Sequence, residues 1–203
     1  MSVTVGDVTL LAPVSMTATR GNALVIRGRN GAGKSTLLRV LAGVRQPTHG
    51  TVHIDGHAVS ERDPRVRRTV AAMIGLPPMA PDLTVHEHVL LVATTWVDDP
   101  DAAAELASAV LAELGLTELG TRFPHELSSG QTQLFGLALV LARPFDMLVL
   151  DEPEQRLDPE HLDTLIRVLR SRRDDGATVI VATHSSHLAD QLSDHTLWLD
   201  GSA

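Results

Sequence analysis

The chain has 203 residues, 43% of them apolar, no cysteine and a formal net charge of −8. This length holds one domain, at most with a subdomain. The missing thiols exclude disulfides, thiol catalysis and thiolate metal sites, and the acidic balance disfavours nucleic acid, whose phosphates select a basic face. Aromatic residues make up only 2%, so the core has to be built from Leu, Val, Ile and Ala. Met1–Asp7 has no basic stretch leading into an apolar run, and no segment approaches the roughly 18 apolar residues of a membrane span. The chain is therefore expected to be cytoplasmic and to meet a membrane only through a partner.

In chain order, Val8–Leu11 and Val14–Ala18 read as short strands about a turn at Ala12-Pro13. Ala23–Arg27 is an unbroken apolar run ending at Gly28, as a buried strand should be. Thr36–Ala42 has helical spacing, and Gly43 stops it. Between strand and helix lies Gly28-Arg29-Asn30-Gly31-Ala32-Gly33-Lys34-Ser35-Thr36, with the Gly-x-x-x-x-Gly-Lys-Ser spacing of a phosphate-binding loop. Gly31 and Gly33 let successive backbone N–H groups converge on one anion, and the helix N-terminus adds its positive dipole. Lys34 is the only lysine; every other basic residue that carries a permanent charge is arginine. A compact ammonium reaches between two phosphates where a guanidinium fork is too wide. Ser35 offers a hydroxyl to Mg²⁺. A glycine-rich turn that binds nothing is the competing reading, and the strand–loop–helix context is what weighs against it.

Further along, Thr51–Ile54 alternates and runs into Asp55-Gly56, a hairpin signal. Thr69–Ile74 reads as a strand and Gly75–Pro81 as an apolar, proline-rich loop. Helical patterns fill Val85–Trp96 and Ala102–Leu114, with Asp98–Asp101 a solvated loop that caps the second. After a break over Thr117–Pro124, Ser129–Ala142 is a long apolar helix. Strand Met147–Leu150, helix Pro159–Arg172, strand Thr178–Ala182, helix His187–Leu192 and strand Thr196–Leu199 follow, with Gly201-Ser202-Ala203 closing the sequence just beyond. Strands alternating with helices indicate a parallel sheet covered by helices. The nearly all-helical stretch 78–143 reads as a subdomain inserted into a core formed by 1–77 and 144–203.

The strand at Met147–Leu150 ends in Asp151 and Glu152. A carboxylate at that edge reaches the Mg²⁺ that Ser35 would hold, and the next can orient or deprotonate an attacking water. A surface turn after a core strand is the bland alternative. Val179–Ala182 leads through Thr183 to His184, placed to donate a hydrogen bond to a γ-phosphate. His184 and His187 have no third ligand nearby, and His86 and His88 face different sides of a helix, so neither pair reads as a metal site. Leu127-Ser128-Ser129-Gly130-Gln131 stands before the apolar helix. Ser128 is a good N-cap, and the same hydroxyl, glycine and helix N-terminus make a second anion site.

Together these segments resemble the ATP-binding cassette (ABC) family over essentially the whole chain. Gly28–Thr36 is similar to its Walker A motif, Leu127–Gln131 to its Leu-Ser-Gly-Gly-Gln signature with Ser129 at the first glycine, Leu148–Glu152 to Walker B and the catalytic glutamate, Glu154–Asp158 to the D-loop, and His184 to the switch histidine. The resemblance implies a P-loop NTPase fold with a mainly parallel central sheet, a small N-terminal antiparallel β subdomain and an inserted helical subdomain. It implies an ATPase that uses ATP and Mg²⁺, with two cassettes, alike or different, closing head to tail. Each site would take Arg29, Asn30, Gly31, Ala32, Gly33, Lys34, Ser35 and Thr36 for ATP, Ser35 and Asp151 for Mg²⁺, and Glu152, His184 and Lys34 for catalysis. Ser128, Ser129, Gly130 and Gln131 would come from the other cassette, and Asp158 from the D-loop.

Two departures stand out. The family's glutamine after the strand near Ile74 falls at or beside Leu76, in Gly75–Pro81, which has none. The aromatic residue that stacks on adenine falls near Val5. Slower or less tightly coupled hydrolysis is expected from the first, and weaker ATP binding from the second. The leading expectation is the ATPase subunit of a membrane transporter on the inner face of the cell membrane, docking transmembrane permease subunits near Leu76–Pro81. A soluble non-transport ATPase of the same family, or a weakly hydrolytic partner in a mixed pair, is the rival.

Overall fold

The computed structural model describes residues 1–60 and 62–199; Gly201-Ser202-Ala203 lie outside them. The chain opens with an antiparallel pair, β1 (Val3–Val5) and β2 (Val8–Leu11). β3 (Ala23–Gly28) and α1 (Lys34–Leu41) follow, then a hairpin of β4 (His53–Ile54) and β5 (His57–Ala58), then α2 (Pro64–Thr69) and β6 (Val70–Met73). The helical insertion holds α3 (Val85–Thr94), α4 (Pro100–Glu113), two 3₁₀ turns (Thr117–Leu119 and Pro124–Glu126) and α5 (Ser129–Leu141). β7 (Met147–Asp151), α6 (Pro159–Asp174), β8 (Thr178–Ala182), α7 (Ser186–Leu192) and β9 (His195–Leu199) complete the core.

Five strands form one parallel sheet in the order β6-β7-β8-β3-β9. β3, β7 and β8 are continuous apolar runs because helices cover both faces of a parallel sheet. The two faces alternate residue by residue. Leu148, Leu150, Val179 and Val181 pack with α3 to α6, while Val149, Ile180 and Ile26 pack with Leu37 and Leu38 of α1 and with β1 and β2. Phe135, fully buried on α5, meets the ring of His88 edge-on at 5.3 Å. The Arg172 guanidinium of α6 forks onto the Glu113 carboxylate of α4, fastening the insertion to the core.

The N-terminal pairing differs from expectation. β2 pairs with Val3–Val5, turned by Gly6 in the left-handed region (φ 56°), and Val14–Ala18 is irregular rather than a strand. Pro13 has no N–H to give a ladder, and Val14 is taken up by Met1, whose amino group donates to the Val14 carbonyl at 2.7 Å. α2 carries one buried apolar residue, Val66, and so shows no amphipathic period; Asp63 caps it and Pro64 opens it. α4 starts at Pro100, ahead of its apolar pattern, because Asp99 caps it and proline is favoured at the first helical position.

Three carboxylates at helix starts are held below the usual carboxylate range. Asp158 accepts from the His161 backbone N–H and then its ring, Asp63 from the Arg65 backbone and then its side chain, and Glu87 from the Thr84 backbone N–H and then its hydroxyl. A lowered folded-state pKa means the unfolded chain binds more protons. Stability is therefore present above the unfolded value and lost as pH falls through the folded one. Thermal melts from about pH 7 to about pH 3 should show the loss only from the ordinary carboxylate range downward. A combined Asp63→Asn, Asp158→Asn variant keeps cap acceptors without titrating and should lose less; an unchanged slope would count against these caps.

Candidate active site

Because all five strands of the sheet run the same way, the residues that follow their carboxyl ends converge on one edge. β3 delivers the phosphate loop, β7 delivers Asp151 and Glu152, and β8, lying between them, delivers His184.

The loop is shaped by close approach as well as by φ. Gly33 caps α1 at φ 94°, and a Cβ there would lie 2.7 Å from the Leu10 carbonyl oxygen. Ala32 N–H turns back to the Arg29 carbonyl at 3.1 Å, and α1 begins with Leu37 N–H on the Gly33 carbonyl at 2.8 Å. Arg29, Asn30 and Gly31 are exposed at the loop crest, while Ser35 and Thr36 are half-buried in the first helical turn. Lys34 is only 6% exposed. Its ammonium donates to the carbonyls of Gly28 (3.1 Å) and Arg29 (3.3 Å) and to His184 Nε2 at 3.0 Å. Glu152 Oε1 lies 3.2 Å from the same Nε2. Lys34, Glu152 and His184 thus meet at one corner.

Two residues not singled out in the sequence build that corner. Glu154 Oε1 accepts from the Thr183 hydroxyl and from the backbone N–H groups of His184 (3.3 Å) and Ser185 (3.4 Å), fixing the loop that aims His184. Gln133 of α5, 8% exposed, donates to the Pro153 carbonyl at 3.2 Å. In the sequence Glu154 stood out only as the first residue of the segment similar to the D-loop, with no role of its own. Gln133 had no signal beyond being a polar residue that opens the apolar run of its helix. Glu152 is itself in the left-handed region (φ 47°), with its N–H on the Ala182 carbonyl at 2.8 Å. For a non-glycine residue that conformation costs about 1–2 kcal/mol, a strain that occurs preferentially at functional sites.

Ser128–Gln131, expected to bind a second anion, lies elsewhere. Ser128 caps α5, its hydroxyl accepting from Gln131 N–H at 3.2 Å while its own N–H donates to Gln131 Oε1 at 2.9 Å. Ser129 is exposed and Gly130 buried. A Cβ on Gly130 would lie 3.0 Å from the Arg156 carbonyl oxygen, so the signature segment and the Glu154–Asp158 loop touch. Asp158 caps α6. Among the described residues no hydrogen bond joins Ser128–Gln131 to the phosphate loop. At the departures, Leu76 lies over α5, where a Cβ on Gly136 would come within 2.9 Å of Leu76 Cδ2. Val5 pairs across the hairpin with Val8, leaving an exposed aliphatic pair.

A phosphate loop with a buried lysine, a strand-end carboxylate pair and a histidine from the strand between them define an ATP-hydrolysing P-loop protein. The family model described as "ABC transporter" matches residues 11–155. The hemin import ATP-binding protein HmuV of Rhodopseudomonas palustris is 36% identical over 202 residues, spanning 95% of this chain and 74% of that protein. The energy-coupling factor transporter ATP-binding protein EcfA1 of Methanospirillum hungatei is 36% identical over 195 residues, 94% of this chain and 70% of its own. A solved ATP-binding subunit of an ABC transporter superposes with a TM-score of 0.87 at 26% identity, over 100% of this chain and 85% of that one. The chain belongs to the ABC transporter family. It is an ABC-type ATPase, the ATP-binding and ATP-hydrolysing subunit that powers a transporter, and its fold is the α/β P-loop fold expected from the sequence. No helix among the described residues is long and apolar enough to cross a membrane.

Proposed function

We propose that this chain works as one of a pair of head-to-tail cassettes on the inner face of a cell membrane, with a transmembrane permease subunit docked beside residues 76–81. The observation that carries the pairing is the separation of the half-sites: Ser128–Gln131 has an anion-binding geometry and no phosphate loop of its own chain to serve. A second cassette supplies one. The docking reading rests on a groove of about 450 Å³ between the sheet edge and α3, bordered by Pro77, Pro78, Leu91, Trp96 and Arg143. Leu91 is exposed there, and Leu76, next to Pro77 in sequence, is exposed as well. The Arg143 guanidinium lies 3.9 Å from the centre of the Trp96 ring, and His88 Nε2 accepts from Ala80 N–H at 2.9 Å, holding the loop against α3.

The residues present fit MgATP. Gly33, closed behind by the Leu10 carbonyl, leaves room only for backbone, and Lys34 donates to carbonyls that a phosphate oxygen would replace. Ser35 and Asp151 are the hard oxygen donors that Mg²⁺ selects, and the ion would supply charge neutralisation at the β- and γ-phosphates. Backbone N–H groups of residues 29–36 cradle the phosphates, with Lys34 as the point charge among them. Glu152 takes the proton of the attacking water, and His184 holds a hydrogen bond at the γ-phosphate. In the pair, Ser128, Ser129, Gly130 and Gln131 close over the partner's γ-phosphate, and Asp158 orders the loop beside them.

Affinity purification from detergent-solubilised native membranes, followed by mass spectrometry, tests the docking. A multi-span protein should be recovered with the wild-type chain and lost when residues 76–81 are replaced by glycine and serine. Recovery of soluble proteins alone would overturn it in favour of a non-transport role.

A further inference from the structure

Glu152 has two carboxylate oxygens, and the corner described above uses one of them. The other, Oε2, accepts a hydrogen bond from the side-chain amide of Gln155. A tight turn makes the bond possible: Glu152 starts it in the left-handed region, Pro153 fixes the second position, and Gln155 N–H donates back to the Glu152 carbonyl at 3.1 Å. The turn is also held from the helical subdomain, by Gln133 on the Pro153 carbonyl. Asp151, Glu152, Gln155, Gln133 and Leu76 border one cavity of about 250 Å³. Leu76 brings no polar group to it, so the carboxamides on that cavity come only from Gln133 and Gln155.

We propose that Gln155 is a positioning residue for Glu152, clamping Oε2 so that Oε1 is presented to the Lys34–His184 corner. A half-buried glutamate side chain on a turn otherwise samples several rotamers, and catalysis suffers steeply when a group spends its time away from the reacting geometry. The clamp replaces an amide that the loop 75–81 does not provide, and it uses the same turn that Gln133 ties to α5. The proposal rests on reading Glu152 as the acceptor of the water's proton.

Steady-state ATPase assays on the full chain test it with Gln155→Met, which keeps length but has no donor, and with Gln155→Ala. kcat should fall roughly tenfold, a fraction of the 10²–10⁴ that a positioned proton acceptor contributes, with KM and ATP affinity held within about twofold. Adding Leu76→Gln to Gln155→Met should restore part of the loss, because residue 76 borders the same cavity. In the nucleotide-free protein, the Gln155 side-chain amide resonances should shift on Glu152→Ala. That readout tests the clamp independently of turnover and of folding losses in the Gln155 variants. Wild-type kcat in Gln155→Met, or amide resonances that ignore Glu152→Ala, would overturn the clamp. Full activity in Glu152→Gln would instead overturn the proton-accepting role of Glu152, leaving the resonance test of the clamp standing.

Discussion

Glu152→Gln should lower ATP turnover by roughly 10²–10⁴-fold while leaving ATP binding intact, since that is the range a single positioned proton acceptor supplies. The substitution keeps size, shape and one oxygen acceptor, and it takes away only the ability to hold a proton. Glu152 is the carboxylate next to the Lys34–His184 corner, with Oε1 3.2 Å from His184 Nε2. Asp151 precedes it on β7 and is half-buried at the sheet edge, where it would face the metal rather than the water. Equilibrium binding of a fluorescent ATP analogue beside a phosphate-release assay separates the two effects. A loss of turnover smaller than about tenfold would move the proton-accepting role elsewhere.

Gly33→Ala should distort the phosphate loop and destabilise the fold. Alanine at φ 94° costs about 1–2 kcal/mol, and its Cβ would press on the Leu10 carbonyl oxygen at 2.7 Å and on Leu11 Cδ1 at 3.0 Å. Leu11 is 1% exposed and packed in the core, so neither neighbour gives way, and overpacking adds about 1–3 kcal/mol. For a domain of this size the sum lowers Tm by roughly 4–20 °C, and the distorted cradle loses its ATP. Gly31→Ala is the matched control. Gly31 has φ 83° with nothing within 4 Å of its Cβ position, so it pays the conformational cost alone. Equal melting temperatures for the two variants would show that close approach does not decide the shape of the loop.

What could be read in advance follows from the physics of each element. β3, β7 and β8 were legible because strands covered on both faces have to be apolar without interruption, and the loop between β3 and α1 because few residue types can wrap an anion. The meeting of Lys34, Glu152 and His184 followed from parallel strands ending at one edge. α2 was not legible, since six residues with one apolar side chain carry no period. Val14–Ala18 was misread because Val-Ser-Met-Thr-Ala alternates like a strand, while its would-be partner β2 was already taken by Val3–Val5. Glu154, Gln133 and Gln155 escaped because their work is done on backbone and carboxylate groups brought close by turns and by the packing of α5, which no local spacing announces.

The chain's solitary lysine has a practical corollary. Amine-acylating reagents have two targets on this protein, the N-terminal amine and Lys34. The first is engaged with the Val14 carbonyl and the second is buried at the phosphate corner. A reagent small enough to enter would therefore record occupancy of the nucleotide site at one side chain, because trypsin no longer cuts at acylated Lys34 and residues 30–39 emerge as one peptide. The protein thus carries its own footprinting probe, with no engineered label needed.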